Sequence, residues 1–103
     1  MSLTVKQWNK HKKAIVWLYK QPKGTKIWFK RDENSEWKLV RYPTWNENYK
    51  YVINDEYAEL RKAVANGKTI QYFNAADNIW IDKKIKNPNI DFNSEIKYRI
   101  KPN

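Results

Sequence analysis

The chain contains no cysteine, two glycines, four prolines, one histidine and one methionine in 103 residues. Without cysteine there is neither a disulfide nor a thiolate metal site. One histidine adds too little for the usual nitrogen and sulfur ligand sets. Two glycines exclude a Gly-rich phosphate loop. Nucleophile–base chemistry would have to come from His11 and three serines, none of them in a Gly-x-Ser-x-Gly setting. The longest apolar run, Ala14 to Tyr19, is six residues, too short to span a bilayer. No signal-peptide pattern opens the chain. These absences lead to the expectation of a soluble intracellular protein with no membrane partner. They also lead to the expectation of no catalytic residues, metal or cofactor, and no enzymatic activity.

Charge and aromatics are abundant. The formal net charge is +10, with six tryptophans. Residues 1–54 hold 12 Lys/Arg against 4 Asp/Glu, a net of +8, whereas residues 55–103 hold 9 against 7, a net of +2. Such a field favours anionic partners. Asp32, Glu33 and Glu36 cluster at a turn flanked by Lys30, Arg31 and Lys38, which reads as a solvated hairpin tip rather than an acid–base pair.

Thr4 to Lys20 reads as a helix. Thr4 and Gln7 have capping-box spacing. Trp8, His11, Ile15 and Leu18 follow at helical spacing, and Pro22 stops the run. Ala14 to Tyr19 also fits a buried strand. A second helix is expected from Asp55 to Asn66, capped by Asp55 or Asn54, with Tyr57, Leu60 and Val64 on one face and Gly67 as terminator. Strand signals follow each helix, at 26–30, 37–42 and 49–53, then at 69–73, 79–81 and 96–101.

The chain repeats itself. Gly24-Thr-Lys-Ile27 leads to Trp37, and Gly67-Lys-Thr-Ile70 leads to Trp80, at one offset of 43 residues. Tyr51-Val-Ile53 answers Tyr98-Arg-Ile100 at an offset of 47. The expected fold is therefore α+β, with two tandem helix-strand-strand-strand units at 4–54 and 55–103 in a single compact domain. Antiparallel sheet packs against the helices. The six strands form either one continuous sheet or two similar lobes. Matched residues, such as Trp37/Trp80 and Tyr51/Tyr98, are expected to build two equivalent cores, and Gly24 to stand after the first helix as Gly67 stands after the second.

The second unit resembles small accessory proteins of tailed bacteriophages. Many of these carry a C-terminal unit reading Gly-Lys-x-Ile, Tyr, Trp, then Tyr-Arg-Ile-Lys-Pro. Here those positions are Gly67, Lys68, Ile70, Tyr72, Trp80 and Tyr98 to Pro102. The resemblance covers about the last 40 residues. It implies a phage origin and an accessory role, and brings no catalytic residues with it. Location in the cytoplasm of a bacterial host and action on host defence or host takeover are expectations from that origin.

Residues unmatched by the repeat are the candidates for function. Trp28 meets Gln71 in the second unit, while Tyr42 and Trp45 lie in a Pro43-interrupted loop without clear equivalents. By period two, Trp28 points away from the core on the same side as Lys26 and Lys30. Lys26, Trp28, Lys30, Arg31, Arg41, Tyr42 and Trp45 are the expected ligand-binding residues. Aromatics stack on bases while cations neutralise phosphates. The expected partner is a nucleic acid or a nucleotide signal. Trp, Tyr and Arg are also hot-spot residues of protein interfaces, so an inhibitor that binds a host protein through the same surface is the alternative.

Overall fold

Thr4 starts the first helix by satisfying two backbone donors at once. In the computed structural model, which describes residues 2–103, the Thr4 hydroxyl accepts from the Gln7 backbone N–H at 3.1 Å. The Gln7 side chain in turn accepts from the Thr4 N–H at 2.9 Å. Helix α1 then spans Val5–Tyr19. Ala14 to Tyr19 is therefore helix, not strand. Its buried residues are His11, Ala14 and Ile15, while Trp8 falls at the exposed edge of the stripe.

Strands β1 (Ile27–Lys30), β2 (Lys38–Val40) and β3 (Lys50–Val52) form an antiparallel sheet in the order β2-β1-β3. After helix α2 (Ala58–Ala65), strands β4 (Ile70–Asn74), β5 (Ile79–Lys83) and β6 (Tyr98–Ile100) form a second, in the order β5-β4-β6. The architecture is α+β. The first strand of each unit is the central one, so both copies share one strand order. The chain divides into two compact units, one ending at Asp55 and the next beginning at Glu56, and the strands make two sheets rather than one.

Helix α2 starts later than Asn54 or Asp55, and no side chain caps it. Asn54 is committed elsewhere. Its Oδ1 accepts from Trp28 Nε1 at 3.1 Å and its Nδ2 donates to the Lys26 carbonyl at 3.2 Å. The C-terminal end follows expectation. Gly67 has φ of +84°, its N–H donates to the Val64 carbonyl, and the Lys68 N–H donates to that of Ala63, a Schellman closure. A Cβ at Gly67 would meet open space, so Gly67→Ala should cost only the left-handed backbone term, about 1 kcal/mol in urea denaturation. Gly24 is a different case. Helix α1 has already ended at Tyr19, and Gly24, at φ +94°, sits third in a turn closed by the Thr25 N–H on the Pro22 carbonyl. The expected equivalence with Gly67 is therefore corrected.

Each sheet packs one face on its helix. In the first unit Ala14, Ile15, Ile27, Trp45 and Tyr51 form the core, with Phe29 and Val40 against it. In the second, Ala63, Val64 and Ile70 do so, with Leu60, Ile85 and Tyr98. Neither Trp37 nor Trp80 belongs to these clusters, contrary to expectation. Trp80 pairs with Phe73, one residue out of step with Ile70 and Tyr72. Trp37 is two residues before Leu39, the partner of Trp28. Period two thus puts both indoles on the sheet face away from the core. There each meets a cation. The Lys30 ammonium lies 5.8 Å from the Trp37 ring, and the Arg99 guanidinium 4.3 Å from the Trp80 ring.

A further match links the loops before the last strands. Asn46 and Asn93 stand at the offset of 47. Each backbone N–H donates at 3.2 Å to the hydroxyl of the tyrosine five residues on, Tyr51 or Tyr98. Each Asn side chain accepts from the N–H two residues on, an Asx turn. Among the described residues no helix is long and apolar enough to cross a membrane, and no group of three or more His, Cys, Asp or Glu could hold a metal ion.

Candidate functional site

The sequence-predicted residues separate into three places. Trp28 does turn away from the core, since its ladder partners are Leu39 and Val52 while Ile27 and Phe29 face α1. It is half-buried and bonded to Asn54. Lys26 is exposed, but Lys30 is only 8% exposed and lies beside Trp37. The Lys26–Trp28–Lys30 row is therefore not an open stacking platform. Arg31 lies past the end of β1 and lines a depression with Phe29, Ser35, Glu36 and Lys38.

The outer faces are where the two copies diverge. Across the first sheet the central row is Leu39–Trp28–Val52, and across the second it is Asp82–Gln71–Arg99. The second row is a closed polar chain. Arg99 Nε donates to Gln71, Gln71 donates to Asp82, and Lys101 donates to the other Asp82 oxygen. Hydrogen bonds from Gln71 and Lys101 hold the Asp82 carboxyl below its usual range. The unmatched Trp28 is thus a change of an apolar row for a polar one.

Arg41, Tyr42 and Trp45 do come together. They line a groove of about 260 Å³ between the C-terminal end of α1 and the loop after β2. Ile15, Leu18 and Trp45 form its apolar floor, and Tyr19, Arg41, Tyr42 and Pro43 its rim. Tyr19 is 85% exposed and Tyr42 76%, so both rings are open to a ligand. The Arg41 guanidinium carbon is 5.7 Å from the centroid of the Tyr42 ring. It lies across Gly24, where an added Cβ would sit 2.8 Å from Arg41 Nη2. Gly24→Ala should therefore displace Arg41 as well as strain the turn. The expected loss exceeds that of Gly67→Ala by about 1 kcal/mol, measurable in parallel urea melts.

Trp45 is a scaffold residue rather than a presented one. It is 8% exposed, and its ring centroid lies 4.8 Å from that of Tyr51 and 6.1 Å from that of His11. It also has a counterpart, Phe92, whose ring lies 5.0 Å from Tyr98. The match was hidden because the offset changes from 43 to 47 between Trp37 and this loop. Tyr19, in contrast, is a rim residue that sequence reasoning left inside the helix. Its signal was weak: an aromatic on the last turn, one residue past the apolar row.

His11 anchors this loop from below. Its Nε2 lies 2.8 Å from the Asn46 carbonyl. A carbonyl can only accept, so Nε2 carries the proton. Burial pushes the imidazole below its ordinary value of 6.5, only partly offset by that hydrogen bond. The unfolded chain then takes up a proton more readily than the folded one. Stability from this group is full above about 6.5 and is lost as pH falls from there through the lowered folded value. His11→Gln should flatten the fall in unfolding temperature across that range. An unchanged pH profile in the variant would remove His11 from the explanation.

No protein-family model, curated protein sequence or solved structure matches the chain.

Proposed function

We propose that this protein is a non-enzymatic binder of a phosphate-bearing ligand with an aromatic base, held in the groove of the first unit. The observation that carries this is the pairing of two open tyrosine rings with an arginine over an apolar floor. Tyr19 and Tyr42 supply stacking surface, worth about 1–3 kcal/mol per base. Arg41 supplies a fixed fork of donors suited to phosphate. The net charge of +8 over residues 1–54 speeds the approach of an anion. The ligand classes are a single-stranded nucleic acid or a nucleotide signal. The resemblance of residues 67–102 to phage accessory proteins supports a role in host takeover or counter-defence, exercised in the cytoplasm of a bacterial host.

The test is a fluorescence titration with mononucleotides and short oligonucleotides at several salt concentrations. Tyr42→Ala is expected to weaken binding about tenfold, the effect of losing roughly 1.4 kcal/mol of stacking. Its unfolding temperature should stay unchanged, because the ring is exposed. Steep salt dependence identifies a polymer, by counterion release. Unaltered affinity in both Tyr42→Ala and Arg41→Ala would sink the reading. Tyr and Arg at an apolar floor also suit a protein interface. A host protein captured by the wild type and lost with the same two variants, with no nucleotide bound, would favour the inhibitor alternative.

A further inference from the structure

The second unit has a groove in the corresponding place, with a different lining. Val64 and Ile70 form the floor of a concavity of about 260 Å³, rimmed by Lys68, Lys83, Lys84 and Lys86. The core pairs Ala14-Ile15 and Ala63-Val64 put the two helices in register. Tyr19 then corresponds to Lys68. At the offset of 43, Arg41 corresponds to Lys84 and Tyr42 to Ile85. The copies therefore share a groove between the helix end and the chain leaving the second strand. The first copy lines it with aromatics and the second with lysines.

The lysines are not explained by local structure. None of the four ammonium groups has an ion-pair or hydrogen-bond partner among the described residues. Lysines do gather at helix C-termini, where the backbone carbonyls are electronegative. Here, however, the last carbonyls of α2 already accept from the N–H groups of Asn66, Gly67 and Lys68. No carboxylate lines the groove, and three of those in this unit are engaged elsewhere. Asp82 is turned to the other sheet face and bonded to Gln71 and Lys101, Asp77 is held in the turn by Asn74, and Glu59 pairs with Lys62. Residues 55–103 have a net charge of only +2, yet four of their nine cations meet at one groove. Segregation of that kind leaves mutual repulsion that a bound anion relieves.

We infer that this groove is a second, separate phosphate site, taking a ligand that presents several phosphates close together without a base to stack. It does not rest on the aromatic groove. Three of the four lysines are exposed, so ammoniums reach the ligand at little cost to the fold. Ile85, packed on the core from the same loop, fixes the backbone between Lys84 and Lys86.

The test uses the full chain and inorganic triphosphate, followed by backbone amide shifts in two-dimensional NMR. Saturable shifts are expected at Thr69, Lys84, Ile85 and Lys86, and the double variant Lys84→Glu/Lys86→Glu should weaken binding at least tenfold. Unfolding temperature checks that this variant is folded, and Lys68→Glu provides a second, independent probe. Competition with a single-stranded oligonucleotide separates the two sources of clustered phosphate. Displacement with a steep salt slope assigns the site to a polymer backbone, and no displacement assigns it to a small polyphosphate. The inference is overturned if triphosphate shifts spread without saturation over Lys10, Lys12 and Lys13 as much as over this groove. It is equally overturned if the lysine variants bind as tightly as the wild type.

Discussion

Trp45→Ala is expected to destabilise the first unit by about 3–5 kcal/mol, the range for removing a large buried aromatic. The ring is a member of the core cluster and touches both His11 and Tyr51. Its loss leaves a cavity at the point where α1, β3 and the loop meet. Trp45 also has φ of +56°, a conformation that costs a bulky residue about 1 kcal/mol or more and a glycine almost nothing. Trp45→Gly should therefore be less destabilising than Trp45→Ala by about 1 kcal/mol, the reverse of the order in ordinary helix or strand positions. Hydrogen exchange at the Ile27 and Tyr51 amides, read against urea concentration, reports this unit separately from the second. If Trp45→Ala leaves those amides as protected as in the wild type while ligand affinity falls, Trp45 belongs to the binding surface instead.

Arg61→Ala is expected to destabilise the second unit by about 3 kcal/mol. Arg61 is buried, and its Nη1 donates to the Pro88 carbonyl at 2.8 Å and the Ile90 carbonyl at 2.6 Å. Hydrogen bonds from a charged donor contribute about 1.5–3 kcal/mol. Removing the side chain also strands two carbonyls. The guanidinium plane further stacks near Phe92, at 5.0 Å. Arg61 thus ties the long loop between β5 and β6 to α2, a task that the shorter loop of the first unit gives to His11 and its bond to Asn46. Arg61→Lys should recover less than half of the loss, since an ammonium lacks the flat fork that satisfies carbonyls and stacks on a ring together. Protection of the Ile70 and Tyr98 amides measures both variants. Full rescue by lysine would reduce the role of Arg61 to its charge.

The fold was largely readable because its signals are local. The Thr4–Gln7 box, the Gly67 terminator and the alternation of each strand depend on neighbours a few residues apart. The repeat extended that reading, and the shared order of the two sheets agrees with it. The candidate site is legible only in part. Tyr42, without a clear equivalent in the repeat, and its neighbour Arg41 do line one groove. The same rule selects Trp45, which is core, because the change of offset hides its match to Phe92. Lys30 was placed on the correct face by period two, but periodicity carries no information about what covers a face. The repeat matches Trp37 with Trp80, but their shared place is the outer sheet face rather than the core. A matched residue need only do the same thing in both copies, and here that is to hold a cation on the outer face.

By itself, the sequence determined that the chain is duplicated, that its chemistry excludes thiolate and Gly-loop sites, where its first helix begins and where its second ends. Those properties follow from composition, from spacing and from backbone preferences within a few residues. Only the tertiary structure decided which unmatched aromatics are exposed and which are buried, and that the two copies offer corresponding grooves of unlike lining. The physical reason is that burial and charge segregation depend on side chains far apart in sequence. Lys68 and Lys84 line one groove and Tyr19 and Tyr42 another, each at the end of a helix, a juxtaposition that no local pattern encodes.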